Sequence, residues 1–139
     1  MSIRNKEVND RKVIGNLVLN STNDRIPIVY GTNIEDLKQG AGYYKRSSWP
    51  GEMGSCIILG HRETVFQNLG DLKINDGISI QTLGKELFYK VTEIKIVDNI
   101  NEIITTQIDY HRLILITCYP IKFCERIEKR YLVIAEVEE

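Results

Sequence analysis

The chain has 139 residues, a length that suits one domain with a single hydrophobic core. Its composition is ordinary for a globular protein, with 42% hydrophobic and 27% charged residues. The formal net charge of -1 provides no excess that would favour nucleic acid or anionic lipid, so a nucleic-acid-binding function is disfavoured.

The N-terminal segment and the apolar runs bear on membrane association. No apolar run approaches the roughly 20 residues that a membrane-spanning helix needs. Residues 1–12 are polar and charged, without the apolar stretch of a signal peptide or an anchor. We therefore expect a soluble chain with a mobile polar segment at residues 1–12 and one folded domain at residues 13–139.

The first part of the chain predicts a β-hairpin and a short helix. Residues 14–19 and 26–30 are rich in β-branched and aliphatic side chains, and a polar turn separates them. Residues 33–39 suit one or two helical turns, with Asn33 as the N-cap and Gly40 as the stop.

The rest of the chain predicts mostly short strands. Residues 41–54 favour an ordered loop, and residues 63–72 carry apolar side chains at helical spacing. Strands are predicted at residues 55–60, 78–82, 87–97, 112–117 and 131–137, separated by turns at 75–77 and 84–85, a polar connection at 98–110 and a loop at 119–129. Seven or eight strands with at most two short helices predict a mainly β domain. A closed barrel is favoured over a sandwich because closure hides the strand edges.

The three cysteines, Cys56, Cys118 and Cys124, form an odd and sparse set that does not suit a disulfide framework. They form no CxxC pair, and only His61 and His111 could complete a structural zinc site, so such a site is disfavoured. We expect at least one free thiol.

Cys118 ends the apolar run at residues 113–117 and precedes Tyr119 and Pro120. A strand end presents a side chain to solvent, and proline prevents the strand from continuing regularly. A nucleophilic thiolate needs such a position, because it must reach a substrate carbonyl. The alternative is a buried packing cysteine, which is the commoner role of this residue type.

His61 also lies at a predicted strand end, directly after the apolar run at residues 56–59. A neutral imidazole can accept the thiol proton, and a protonated one can later protonate a leaving amine. The alternative is a surface loop histidine. His111 would lie at the opposite end of the strand from Cys118, about 20 Å away at the rise of a strand, which makes it a poor partner.

Arg130 opens the last predicted strand, at the end of a basic segment that includes Arg126. If this strand pairs antiparallel with residues 112–117, its start lies beside Cys118. A guanidinium there could donate two hydrogen bonds to a carbonyl oxygen or to a developing oxyanion. The alternative is a solvated charged face.

These residues together resemble the sortase family of cysteine transpeptidases. Thr117-Cys118-Tyr119-Pro120, followed by the strand-opening Arg130, is similar to the sortase pattern of TLxTC followed by an arginine. Gly60-His61-Arg62 resembles the histidine segment of the family, and residues 26–31 resemble its second strand. The resemblance spans residues 14–137 in order, without a large insertion, and favours a catalytic Cys118 over a packing cysteine.

Membership of this family implies a closed eight-stranded barrel and a reaction that needs no cofactor. Sortases cleave an LPxTG-like C-terminal sorting signal of a secreted protein between Thr and Gly. They form a thioester acyl-enzyme and transfer the protein to an amine of a cell-wall precursor or a pilin.

The resemblance also implies a role for each candidate site residue. Cys118 would be the nucleophile, His61 the acid that protonates the leaving amine, and Arg130 the ligand of the substrate and the oxyanion. Thr117 would help to orient the substrate, and Arg126 is the alternative to Arg130.

Details of the motifs favour class D sortases, which occur in bacilli and clostridia. The features are Gly-His-Arg-Glu-Thr at residues 60–64 and Tyr-Pro after the cysteine. The acidic residues that bind calcium in some class A sortases are not matched, since Arg46, Trp49 and Met53 stand there. We therefore expect no such calcium site. The family implies the extracellular face of a Gram-positive membrane, with attachment only through an anchor that these residues do not contain.

The remaining candidates have structural roles as the favoured interpretation. A Cys118–Cys124 disulfide would switch the enzyme off, but a spectator Cys124 is favoured. Cys56 is expected in the core, and Trp49 is expected to be a packed loop aromatic rather than part of a peptide groove. Two other functions remain open, namely a hydrolytic cysteine protease with the same residues and a catalytically silent β-barrel that binds peptides.

Overall fold

The computed structural model describes residues 13–119 and 129–138, with side chains for residues 13–117 and 129–138. This part of the chain contains eight strands: β1 (Val13–Leu19), β2 (Asp24–Tyr30), β3 (Ala41–Tyr43), β4 (Gly54–Leu59), β5 (Gly77–Thr82), β6 (Lys85–Val97), β7 (His111–Tyr119) and β8 (Lys129–Val137). It also contains the short helices α1 (Ile34–Leu37) and α2 (Asn101–Thr105) and a 3₁₀ turn at Leu69–Asp71. The predicted mobile segment at residues 1–12 lies outside the described residues.

The strands close into one barrel in the order β1-β2-β3-β4-β7-β8-β6-β5. Two neighbouring pairs are parallel, β2 with β3 and β4 with β7, and the other pairs are antiparallel. The prediction of a mainly β, closed eight-stranded barrel is therefore confirmed. Within the described ranges, none of the helices is both long and apolar enough to cross a membrane.

The apolar run at the centre of β7 is buried on both faces of the sheet. Leu113 and Leu115 belong to the core inside the barrel, whereas Ile114 and Ile116 belong to a second cluster on the outer face. This division follows from the two-residue period of a strand. It explains why β7 is continuously apolar, while a strand with one wet face would alternate.

A segment predicted as a polar connection covers the outer cluster, which consists of Ile57, Ile114, Ile116, Leu132 and Ile134. Residues 98–110 include α2, and Ile100, Ile103 and Ile104 pack against the outer cluster. The prediction overlooked this helix because charged and amide residues surround it. The three isoleucines nevertheless have the i, i+3, i+4 spacing of a helix face.

Two further predictions of local structure were wrong. Residues 63–72, predicted as helical from their spacing, form successive turns and the 3₁₀ turn, although Phe66, Leu69 and Leu72 are buried as the spacing suggested. The predicted loop at residues 41–54 contains β3, which pairs with β2 and β4. This three-residue strand has little β-propensity of its own, so pairing with its neighbours determines its conformation.

Candidate active site

The parallel pairing of β4 with β7 brings His61 to the end of β7 that carries Cys118. The ladder ends with Leu59 opposite Ile116. The amide of Gly60 then donates to the carbonyl of Ile116 at 3.1 Å. Because neighbouring strands lie about 4.8 Å apart, the chain leaves the sheet at His61 beside the last residues of β7.

The antiparallel pairing of β7 with β8 sets Cys118 opposite Arg130. Residues that face each other across such a ladder have Cα atoms about 4.5–5.5 Å apart. The prediction that the last strand starts beside the cysteine is therefore confirmed. The start of β8 also pairs with the end of β6, where Val97 is opposite Arg130, and Lys129 Nζ lies 2.8 Å from Asp98 Oδ1.

The backbone around His61 is held in a tight turn by its neighbours. The His61 carbonyl accepts hydrogen bonds from the amides of Thr64 at 3.2 Å and Phe66 at 3.0 Å. The Phe66 ring is fully buried and lies against Gly60, where an added Cβ would come within 2.7 Å of a ring carbon. Close packing of this glycine on the ring thus fixes where the exposed His61 side chain leaves the barrel. The sequence analysis did not identify this supporting role of Gly60 and Phe66.

Thr117 lies on the face of β7 that carries the barrel core, since it is 2% exposed and opposite Tyr131, which packs on that core. Its buried Oγ1 has no hydrogen-bond partner among the described residues. A buried hydroxyl without a partner lowers the stability of the folded chain.

The structure separates the other candidates from this end of the sheet. His111 begins β7, seven residues before Cys118, which corresponds to about 23 Å along the strand. The predicted position of His111, at the opposite end of the strand from Cys118, is therefore confirmed. Cys56 is 2% exposed in the core, as predicted. Trp49 packs edge-on against Tyr43 at a ring-centroid distance of 5.2 Å, as expected for a loop aromatic.

Cys124 and Arg126 lie outside the described residues, so their predicted roles stay predictions. Among the described residues, no group of three His, Cys, Asp or Glu side chains could hold a metal ion. Of the described residues, His61 follows this end of β4, and Arg130 and Lys129 begin β8 opposite Cys118 and Tyr119. An imidazole and a guanidinium are groups that can exchange a proton and bind an oxyanion.

A family model and a curated relative both place this chain in one family. The family model described as the sortase domain matches residues 17–138. Sortase D of Bacillus subtilis (strain 168) is 39% identical over 120 residues, which cover 86% of this chain and 61% of that protein. The predicted resemblance to class D sortases is therefore confirmed. The chain spans about three fifths of the length of this curated relative.

Solved structures of sortases have the same fold as this chain. Sortase A from Corynebacterium diphtheriae matches with a TM-score of 0.82 and 29% identity, over 93% of this chain and 62% of that one. A Clostridium perfringens sortase C, solved with the C-terminal cell wall sorting motif, matches with a TM-score of 0.80 and 31% identity, over 95% and 74% of the two chains. From its sequence, its barrel and these matches, the chain belongs to the sortase family.

Proposed function

We propose that this chain is a cysteine transpeptidase that cleaves an LPxTG-like sorting signal between Thr and Gly. The observation that carries the proposal is the convergence of three chain segments at one end of the barrel. Cys118 is opposite Arg130 in one ladder, and His61 follows the last hydrogen bond of the neighbouring ladder. A nucleophile, a proton carrier and a fixed cation are the groups that acyl transfer requires.

The first half of the reaction forms a thioester. The Cys118 thiolate attacks the carbonyl carbon of the Thr residue, and the guanidinium of Arg130 donates hydrogen bonds to the oxyanion. The tetrahedral intermediate collapses, the Thr–Gly bond breaks, and protonated His61 gives its proton to the leaving amine. Because the Thr117 hydroxyl faces the barrel core, Thr117 would help to orient the substrate through the backbone beside Cys118 rather than through a contact of its own.

The second half returns the enzyme to its starting state. An incoming amine attacks the thioester carbonyl, neutral His61 takes the excess proton, and Cys118 leaves as a thiolate. We propose that this amine belongs to a cell-wall precursor or a pilin. The corresponding location is the outer face of a Gram-positive membrane. The structure of a clostridial sortase C with the C-terminal cell wall sorting motif supports the substrate class.

The test is a peptide-cleavage assay in which the acceptor is varied. An LPxTG-type peptide is incubated with the protein, with and without an amino-oligoglycine or hydroxylamine. The products are separated and identified by mass spectrometry. Transfer predicts a new amide or hydroxamate at the expense of the free acid. A free acid that is unaffected by added amine would instead establish a hydrolytic protease.

Two variants give this assay its controls. Cys118→Ala should abolish both products, because no thioester can form. Cys56→Ala should retain both, since Cys56 is buried in the core, five residues before His61. Absence of cleavage by the unaltered protein over a panel of sorting peptides would favour a silent peptide-binding barrel.

A further inference from the structure

The connection that carries His61 runs from the end of β4 to the start of β5. It comprises residues 60–76 and contains the 3₁₀ turn at Leu69–Asp71. The His61 side chain is exposed, so its position depends mainly on the backbone that follows it. The contacts that hold this connection on the barrel therefore help to determine where the imidazole lies relative to Cys118.

Successive turns link His61 to the 3₁₀ turn. The His61 carbonyl accepts from the amides of Thr64 at 3.2 Å and Phe66 at 3.0 Å, and the Phe66 carbonyl accepts from the amide of Leu69 at 3.0 Å. Asn68 lies between these last two residues. Because each turn begins within the previous one, residues 61–72, here called the His61 segment, move together, and a shift at Asn68 reaches His61.

A polar clamp, formed by Thr22, Asp24 and Asn68, ties the His61 segment to the β1–β2 hairpin. Asn68 Nδ2 donates to Asp24 Oδ2 at 2.9 Å, and Thr22 Oγ1 donates to the same oxygen at 2.7 Å. All three residues are partly buried. Hydrogen bonds to a carboxylate are charge-assisted and stronger than those between neutral groups, so the clamp is a firm attachment.

The hairpin side of the clamp is itself fixed to the sheet. Asp24 begins β2 opposite Leu19 of β1. The amide of Asn20, in the turn between the two strands, donates to the carbonyl of Gly77 at the start of β5 at 3.2 Å. Asp24 is therefore a fixed point of the barrel, to which Asn68 of the His61 segment is attached.

Apolar packing also holds the His61 segment, but it leaves a task for the clamp. Phe66 and Leu69 are both 0% exposed, so they keep the segment against the core. Burial of apolar surface has no preferred direction, whereas a hydrogen bond requires a defined distance and angle. The bond between Asn68 and Asp24 therefore determines how the segment is placed along the end of the barrel.

We propose that Asp24 is a positioning residue for His61 and that it acts through Asn68. This inference rests on the proposed transpeptidase function, in which His61 gives a proton to the leaving amine. Such a transfer requires the imidazole within hydrogen-bond reach of that amine. Loss of the clamp should therefore slow the chemical step more than it weakens binding of the peptide.

The test exchanges the two polar groups of the clamp. Asn68→Asp places two carboxylates face to face, and their repulsion should displace the His61 segment. Combining it with Asp24→Asn restores one amide and one carboxylate in exchanged positions and keeps the net charge of the unaltered chain. We expect kcat for a sorting peptide to fall about 10- to 100-fold in Asn68→Asp and to return to within about threefold in the double variant, with KM little changed.

The histidine signals in an NMR spectrum provide a readout that needs no reaction. The chain has two histidines, and His111 begins β7 at the opposite end of the strand from Cys118. The ring-proton signals are assigned with His111→Gln. In Asn68→Asp the His61 signals should shift or broaden, and in the double variant they should return, whereas the His111 signals should stay in place in both.

Two further variants separate position from stability. Asn68→Ala removes the amide without adding a charge, and it should lower kcat about tenfold; it replaces Asn68→Asp if that variant does not fold. Thr82→Val is the control, because it removes the hydrogen bond from Thr82 Oγ1 to the Ile14 carbonyl at the other end of the barrel. It should lower Tm while kcat and the His61 signals stay unchanged.

The outcomes separate this inference from the function on which it rests. Unchanged kcat and His61 signals in both Asn68 variants would overturn the inference alone. A loss of kcat that the double variant does not restore, or an equal loss in Thr82→Val, would also overturn it. No cleavage by the unaltered protein would overturn the proposed function, and the His61 signals would still decide whether the clamp positions His61.

Discussion

The contact between Gly60 and Phe66 allows the position of His61 to be tested without altering a candidate catalytic group. A Cβ added at Gly60 would lie 2.7 Å from one ring carbon of Phe66 and 2.9 Å from two others. Ordinary carbon–carbon contacts are about 3.5–4.0 Å, so the added Cβ and the Phe66 ring must move apart by about 1 Å. The ring is fully buried and cannot move freely, so the backbone at His61 must give way as well.

The expected cost of Gly60→Ala follows from this overlap. Overpacking a rigid core costs about 1–3 kcal/mol, which corresponds to a fall of roughly 3–10 °C in Tm for a domain of this size. A displacement of about 1 Å at a catalytic group can cost about 100-fold in rate. We therefore expect kcat/KM for a sorting peptide to fall by a factor of about 10 to 100 at a temperature where the variant is fully folded.

Thermal unfolding and peptide cleavage, measured on the same samples, test this expectation. Gly70→Ala is the matched control, because Gly70 is exposed and, of the residues that the structure describes, only Arg62 places an atom near its added Cβ, with Nη2 at 4.0 Å. Adding Phe66→Leu to Gly60→Ala should recover about 1 kcal/mol relative to the sum of the single changes. Equal, small effects of Gly60→Ala and Gly70→Ala on both readouts would refute the reasoning.

Three further predictions concern single side chains. Arg130→Lys should lower kcat/KM by about 100-fold or more, because lysine keeps the charge but loses the paired donors. Arg126→Lys should change kcat/KM by less than about threefold. A larger loss of kcat/KM in Arg126→Lys than in Arg130→Lys would exchange the roles of the two arginines. Thr117→Val should leave Tm unchanged or raise it, because the buried Thr117 hydroxyl has no partner among the described residues. Thr82→Val should lower stability by about 1 kcal/mol in the same thermal-unfolding assay, because the Thr82 hydroxyl donates to a backbone carbonyl. Burial, followed by repulsion from Cys56, raises the pKa of Tyr89 above its ordinary value of 10.0. Stability should therefore fall as pH rises above about 10, where only the unfolded phenol ionises, and a denaturant titration should show a shallower fall for Tyr89→Phe.

The barrel could be predicted because most of its strands are recognisable from their amino-acid composition. The apolar runs before Cys118 and before His61 are buried strands, and turn residues separate most of the others. The antiparallel pairing of β7 with the last strand could also be predicted, since Arg130 begins the next apolar run. These features are local, so the sequence carries them directly.

The features that were missed depend on contacts between distant segments. β3 has three residues and forms because β2 and β4 offer open edges on both sides. Residues 63–72 bury their apolar side chains as predicted, but their backbone forms turns against the end of the barrel instead of an α-helix. The pairing of Ser55 with Arg112 depends on the parallel register of β4 and β7, which no local pattern reveals.

The sequence also predicted which end of the sheet holds the candidate site. Strand ends identified His61, Cys118 and Arg130 as accessible, and the ladders bring their backbones to the same end of the sheet. The role of each group is a matter of chemistry rather than of position, and it requires a reaction to be observed.

The most direct test of the central claim is the intact mass of the protein after mixing with an LPxTG-type peptide. The account predicts an adduct whose added mass equals the peptide up to and including Thr. It should disappear on addition of hydroxylamine and be absent from Cys118→Ala. An adduct that persists in Cys118→Ala, or cleavage by that variant at an undiminished rate, would contradict the assignment of Cys118 as the nucleophile.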